Sequence, residues 1–217
     1  MTKVELERKY PLIALREMVI FPSSLSPLFI ARPFSLQAAR HALSMDGLAV
    51  FFTQKDPKVQ EPKRHDLYSV GVLGRFLQHV VATDGSIRAV VQGLERIRLE
   101  ELIKEGDYYV ALVRSFPQRS RDPEEEEKLA RMVREYLHKY LEMNPVIPEE
   151  ITLSILDRRS NPLELANLLS AHLPIQTEEK QNLLTTRYLN KHLENLVKIL
   201  IRETEFLELK QEIEGRV

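Results

Sequence analysis

Hydrophobic residues follow two different spacings along this chain. Up to about residue 117, β-branched and aromatic runs predict strands at residues 12–15, 48–53, 69–82, 87–92, 94–101 and 108–116. Asp84-Gly85 lies between two of these runs and supplies the positive φ that a tight hairpin turn needs. Glycines inside the runs, Gly71, Gly74 and Gly93, predict bulges or sharp bends in a curled sheet.

Apolar residues recur at helical spacing in the rest of the chain. One helix is predicted within the strand-rich half, at about residues 35–44. Beyond that half, Asp122 is a helix cap and Pro123 suits the first helical position. Further helices are predicted after Pro148, from Asn161, from Thr177 and from about Tyr188 to the end. The apolar stripe of the last helix narrows and drifts, which is typical of a helix that continues as a coiled coil.

The two spacings predict an α+β fold with two subdomains. Residues 1–117 form a curled, β-rich subdomain with one helix, and residues 118–217 form an α-helical bundle that ends in a long helix leading into a coiled coil. The polar residues Arg119-Ser120-Arg121 mark the boundary.

Composition and charge exclude several classes of protein. A hydrophobic fraction of 43% with 29% charged residues is typical of a globular chain. The absence of cysteine excludes disulfides, thiolate zinc sites and a cysteine nucleophile. A net charge of -1 gives no general attraction to nucleic acid or anionic lipid.

The longest uncharged stretch, from Met18 to Ala31, contains two prolines and is shorter than a membrane helix of about 20 residues. The N-terminus lacks the apolar core of a secretory signal, so we expect a cytoplasmic protein without a membrane partner.

Motifs for catalysis and for nucleotide or metal binding are missing from the sequence. It contains no G-x-x-x-x-G-K-[ST], no H-E-x-x-H and no G-x-S-x-G. His138 and Glu142 have the most metal-like spacing, which we interpret as an exposed helix face. Arg96 and Arg98 alternate on a predicted strand and either contact phosphate or, as we favour, lie on a solvated sheet face. We therefore predict no catalytic, cofactor-binding or metal-binding residue in this chain.

The segment at residues 18–30 is the main candidate for binding. Its prolines and serines disfavour a regular helix or a central strand, although it is rich in large apolar side chains. Some of these side chains are expected on irregular backbone near the surface, where they suit contact with exposed apolar segments of other proteins. The alternative is that alternate residues fill the core of the sheet. The candidate substrate-binding residues are Met18, Val19, Ile20, Phe21, Pro22, Leu25, Leu28 and Phe29.

Short motifs follow one another in a fixed order along the chain. In the first half they are the runs at residues 11–22, 27–32, 66–71 and 84–96. In the helical half they are the runs at residues 162–166, 171–173, 179–184 and 212–217. Together these motifs resemble the N-terminal, substrate-binding domain of the Lon ATP-dependent protease family, and the resemblance covers nearly the whole chain.

The resemblance implies a substrate-recognition and assembly module for unfolded, damaged or degron-bearing proteins. A full Lon protease continues into a coiled coil, an ATPase module that binds ATP and Mg, and a peptidase domain with a Ser–Lys dyad, and it assembles as a hexamer. No Walker motif or dyad lies within residues 1–217, so this chain is expected not to be an enzyme on its own. A free-standing adaptor or chaperone-like protein is the alternative. An enzyme that binds or hydrolyses small molecules is a second alternative, and it requires a deep pocket with convergent polar groups.

Overall fold

A computed structural model describes residues 8–157 and 159–216. Most of the charged N-terminal segment, where no secretory signal is expected, lies outside these residues. The chain divides into two compact units. The first contains residues up to Pro117 together with Gln176–Thr185, and the second contains Gln118–Ile175 and Thr186–Val217. The predicted α+β class is confirmed, with a β-rich first unit and a helical second unit.

Six strands build the first unit: β1 (Arg8–Leu15), β2 (Leu25–Ile30), β3 (Leu48–Thr53), β4 (Val70–Val81), β5 (Ile87–Glu105) and β6 (Tyr108–Ser115). Their order is β2-β5-β4-β3-β1-β6, and β5 also pairs with β6. Only the β1–β3 pairing is parallel among these described strands. Because β5 pairs with β4 along one edge and with β2 and then β6 along the other, five strands close into a ring. β2 is left as the outermost strand.

Helix α1 (Pro33–Ser44) packs against β1, β3 and β6. A cluster of buried apolar side chains fills the inside of the sheet, including Leu12, Phe52, Leu73, Ile97 and Val113. The hairpin predicted at Asp84-Gly85 joins β4 to β5, and Gly85 adopts φ +85°. The two strands predicted at 87–92 and 94–101 are one long strand, with a register shift opposite Gly93.

The second unit contains α2 (Pro123–Met143), α3 (Glu149–Leu156), α4 (Pro162–His172) and α6 (Leu189–Gly215). The expected caps are present. The carboxylate of Asp122 accepts hydrogen bonds from two backbone N–H groups in the first turn of α2, at 3.1 Å each, and Asn161 accepts one from Glu164 at 2.8 Å. α2 and α4 pack against α6, whose buried face includes Leu193, Leu196 and Leu200.

Helix α5 (Thr177–Thr185) belongs to the first unit, although its position in the sequence predicted a place in the helical subdomain. It packs against β4, where the side-chain amide of Gln181 donates to the carbonyl of Val70 at 2.8 Å. The Nε of Arg96 donates to the carbonyl of Leu184 at 3.0 Å, in the last turn of α5. Arg96 is therefore 4% exposed and does not lie on the solvated sheet face that we expected. Burial lowers the pKa of Arg96 to about 10.

Candidate functional site

Metal-ligating side chains are scattered over the described residues. No group of three or more His, Asp or Glu side chains with metal-binding geometry occurs among them. His138 and Glu142 contact each other at 3.3 Å across one helical turn, and both side chains are exposed. None of the helices in the described ranges has the length and apolarity that a membrane crossing requires.

A buried serine and histidine in the second unit resemble a nucleophile and its base, a pair that was not predicted from the sequence. Ser170 Oγ lies 2.7 Å from His192 Nε2, and both residues are completely buried. The same hydroxyl donates to the carbonyl of Ala166 at 2.7 Å, so it accepts from the imidazole. The Nδ1 of His192 faces the side-chain amide of Gln118 at 3.1 Å. This network ties α4 to α6 and is closed to a substrate.

The first part of the candidate segment, residues 18–24, is irregular and mostly buried. Val19, Ile20, Phe21 and Pro22 are all buried, and Phe21 is 0% exposed. The backbone of Phe21 passes directly over Gly93, where a side chain would collide with it. These four consecutive side chains are buried, so a partner has no access to them, and their burial does not follow the alternation that the second interpretation expected.

The second part of the segment forms the regular strand β2, which corrects the expectation of irregular backbone there. Pro27 is tolerated because of its position in the ladder. The carbonyl of Ser24 accepts a hydrogen bond from the N–H of Gly93 at 2.9 Å, and bonded and non-bonded pairs alternate in an antiparallel ladder. Leu25, Pro27 and Phe29 therefore direct their backbone groups away from β5, on the side where the missing proline N–H costs nothing.

Burial alternates along β2 and leaves two of its apolar side chains in solvent. Leu25 is 55% exposed and Phe29 is 63% exposed, whereas Leu28 is buried. Met18 is half-buried. Of the eight candidate residues, Leu25 and Phe29 are the two that the structure places in the open.

Two exposed residues of β4 extend this apolar region, and they were not predicted from the sequence. We use the name β2–β4 surface for Leu25, Phe29, Leu77 and Val80. Val81 is also exposed, but it lies in the next row with Ile87 and Ile30, whose side chains point to the other face. Strand register places Phe29, Arg88 and Val80 in one row across β2, β5 and β4. A shallow depression of about 480 Å³ lies here, lined by Pro27–Phe29, Gln78–Val80 and Arg88–Val90. The available signal was the length of β4, which continues to Val81 although its pairing with β3 ends at Arg75, because a hairpin that extends beyond its sheet exposes both faces.

Among the described residues that line the depression, Arg88 carries a charge, and its guanidinium lies 6.0 Å from the centroid of the Phe29 ring. The nearest acidic residue on the hairpin, Asp84, is held in the turn by hydrogen bonds from Ser86, which lower its pKa. The surface is thus suited to apolar side chains accompanied by neutral or acidic groups.

Comparisons with known proteins agree with this architecture. A family model described as the ATP-dependent protease La (LON) substrate-binding domain matches residues 9–202. The Lon protease of Aquifex aeolicus is 35% identical over 211 residues, which cover 95% of this chain and 26% of the relative. The Lon protease of Brevibacillus choshinensis is 30% identical over 211 residues, which cover 97% of this chain and 27% of the relative. The chain thus spans about a quarter of the length of the curated relatives it matches.

Two solved structures have a similar fold. The N-terminal domain of Mycobacterium avium complex Lon protease superposes with a TM-score of 0.71 at 19% identity, covering 91% of this chain and 98% of the other. A Lon N-terminal domain protein from Xanthomonas campestris gives a TM-score of 0.60 at 16% identity, covering 88% and 98%.

Proposed function

The chain belongs to the family of the ATP-dependent protease La (LON) substrate-binding domain, and from this premise we propose that its β2–β4 surface binds exposed hydrophobic segments of unfolded or degron-bearing proteins. Apolar burial is non-directional and does not require one particular sequence. A shallow apolar surface on a rigid sheet therefore suits a module that must accept many different clients.

The concentration of exposed apolar side chains at one place carries the proposal. Seven large apolar side chains of the first unit are exposed in the described residues, and four of them belong to the β2–β4 surface. The other three are Met45, Val81 and Leu94. Scattered exposed apolar residues are ordinary in proteins, whereas a contiguous group is typical of an interaction site.

A binding titration with the folded and denatured forms of one client protein tests this function. We expect the denatured form to bind and the folded form not to bind. Phe29→Ser removes a ring that is 63% exposed and would be covered in the complex. The loss of the Phe29 ring should weaken the free energy of client binding by about 1–2 kcal/mol, which lowers the affinity about tenfold.

Leu153→Ser is the matched control, because Leu153 is also 63% exposed but lies on α3 in the second unit. We expect this variant to bind the denatured client as the unchanged chain does. Equal losses in Phe29→Ser and Leu153→Ser would mean that the contact is not confined to the β2–β4 surface. Equal binding of folded and denatured client would refute the function itself.

We further propose that the module delivers its clients to a hexameric ATPase and protease of the Lon type. The relatives called Lon protease support this, since they are about four times as long as this chain. The gene sequence beyond Val217 tests it. A coiled coil followed by a Walker motif supports delivery within one polypeptide, and a stop codon favours the free-standing adaptor.

The last turns of α6 support a role in assembly. Phe206, Leu209 and Ile213 are exposed and recur at three- and four-residue spacing, which is the spacing of a coiled-coil seam. We propose that this stripe pairs with the same stripe of a second copy. Sedimentation equilibrium tests it: Leu209→Glu should lower the average mass of any oligomer, and Leu153→Ser should leave it unchanged.

A further inference from the structure

A groove of about 320 Å³ runs between β1 and β2 in the first unit, next to the β2–β4 surface. Its walls are Ile13–Arg16 with Met18 on one side and Leu28–Arg32 on the other, and Ser35 of α1 also lines it. Phe29 and Leu28 line both this groove and the shallow depression on the β2–β4 surface. A client chain on one of them therefore has a continuous path to the other.

Unpaired strand edges border the groove. The backbone groups of Leu25, Pro27 and Phe29 point away from β5, and no other described strand pairs with β2. On β1, pairing with β6 stops at Pro11, so residues 12–15 pair only with β3 among the described strands. The free edge of β2 can accept an extended peptide as an added strand, to which Leu25 and Phe29 offer an N–H and a carbonyl and Pro27 offers a carbonyl alone.

Two arginines are the only charged residues that line the groove in the described part of the chain. Arg32 donates to the carbonyl of Ala14 at 2.8 Å and to that of Gln60 at 3.2 Å, and also to the side chain of Gln54. A guanidinium has five donors, so two of them remain for a ligand. Arg16 donates to the side chain of Gln60 at 3.1 Å.

Neither arginine forms an ion pair with a carboxylate in the described residues. Instead, burial and the nearby charge of Arg16 lower the pKa of Arg32 to about 10. A carboxylate brought in by a ligand would relieve both effects, because it offsets the lost hydration and the repulsion between like charges.

A buried hydroxyl gives an independent indication of a polar ligand. Ser35 is 3% exposed, and its Oγ has no hydrogen-bond partner among the described residues. A buried polar group without a partner costs free energy and is uncommon in folded proteins. Ser35 lines the wall of the groove.

Building on the proposed function, we infer that this groove binds an extended client segment in which an aspartate or glutamate side chain stands between apolar residues. The segment adds its backbone to the free edge of β2. Its carboxylate lies between Arg16 and Arg32 and accepts from the Ser35 hydroxyl. Its apolar side chains contact Met18 and Phe29.

Fluorescence anisotropy with two short labelled peptides tests the inference. Both alternate valine and threonine and are acetylated and amidated, and they differ in one central residue, glutamate or glutamine. We expect the glutamate peptide to bind the unchanged chain about fivefold more tightly. An added strand forms backbone hydrogen bonds through every second residue. N-methylation of the backbone amides should therefore weaken binding when it is placed on one alternating set of peptide residues, odd or even, and should have no effect when it is placed on the other set.

Arg16→Gln is the variant of choice, because Arg32 also holds β1 in place and its loss endangers folding. In Arg16→Gln the preference for glutamate over glutamine should fall to about twofold or less, while the glutamine peptide binds as before. Ser35→Ala should likewise weaken only the glutamate peptide. Equal affinity of the two peptides for the unchanged chain overturns the inference.

The result separates this inference from the proposed function. If denatured client binds in a manner that depends on Phe29 while Arg16→Gln changes nothing, the inference fails and the function stands. If peptides bind in the groove with the expected preference but Phe29→Ser leaves the denatured client unaffected, the β2–β4 surface is not the principal contact.

Discussion

The substitution Gly93→Ala should weaken the pairing of β2 with β5, and β2 carries Leu25 and Phe29 of the β2–β4 surface. A Cβ at this position would lie 2.8 Å from the carbonyl carbon of Phe21, closer still to the carbonyl oxygen, and 3.3 Å from Ile20 Cγ2. Two backbone hydrogen bonds join the same places: Ser23 N–H to the carbonyl of Gly93 and Gly93 N–H to the carbonyl of Ser24, each at 2.9 Å. The added methyl group cannot fit unless the chain at residues 20–24 moves off β5.

The expected cost combines this overlap with the lost bonds. Overpacking costs about 1–3 kcal/mol and each hydrogen bond about 1 kcal/mol, so the free energy of unfolding should fall by about 3–5 kcal/mol. For a chain of this size that lowers Tm by about 10 °C. Differential scanning calorimetry measures the shift, and affinity for a denatured client should fall as β2 loses its anchor.

Gly106→Ala is the control for this experiment. Gly106 has φ +59°, and no atom of the described residues lies within 4 Å of the place that a Cβ would take. Alanine there therefore costs only the backbone strain of about 1–2 kcal/mol. A Gly93→Ala variant that is as stable as Gly106→Ala would refute the reasoning, because the close approach of Phe21 would then carry no energetic weight.

Three further predictions concern the core, acid stability and α5. Phe21→Ser should lower the free energy of unfolding in urea by about 3–5 kcal/mol, since Phe21 is fully buried, and a change of less than about 1 kcal/mol would place it outside the core. Hydrogen bonds from Tyr109 and Lys104 lower the pKa of Glu61 to about 2, so its carboxylate stabilises the fold above about pH 4.5 and this contribution is lost as the pH falls toward 2. Glu61→Gln should therefore flatten the fall in Tm over that range, and a fall as steep as in the unchanged chain would contradict it. Arg96→Met should speed amide hydrogen exchange in α5 while the exposed control Arg98→Met does not, and equal exchange in both would show that the bond to Leu184 does not hold the helix.

Sequence patterns predicted the structural features that depend on residues close together in the sequence. Asp122 and Asn161 cap their helices as expected, because a cap depends on residues two or three positions away. Asp84-Gly85 makes its turn for the same reason. The α+β class followed from the difference between strand and helix spacing, and the structure confirms it.

Features that depend on distant residues were not predictable in this way. Strand β2 was missed because Pro27 argues against a strand unless its N–H would face away from the neighbouring strand, and only the pairing with β5 settles that. The burial of Phe21 and of Arg96 depends on contacts with Gly93 and Leu184. Among the candidate residues, the alternation of burial along β2 separated Leu25 and Phe29 from those in the core.

Because α5 packs with the sheet, the first unit is discontinuous in the chain. All six strands have been synthesised when the ribosome reaches Pro117, yet Arg96 and Val70 still lack their partners on α5. Those partners arrive only after α2, α3 and α4 have been made. During biosynthesis the β-rich unit is therefore completed late, and a nascent chain that stops before Leu184 cannot form the bond between the Nε of Arg96 and the carbonyl of that residue.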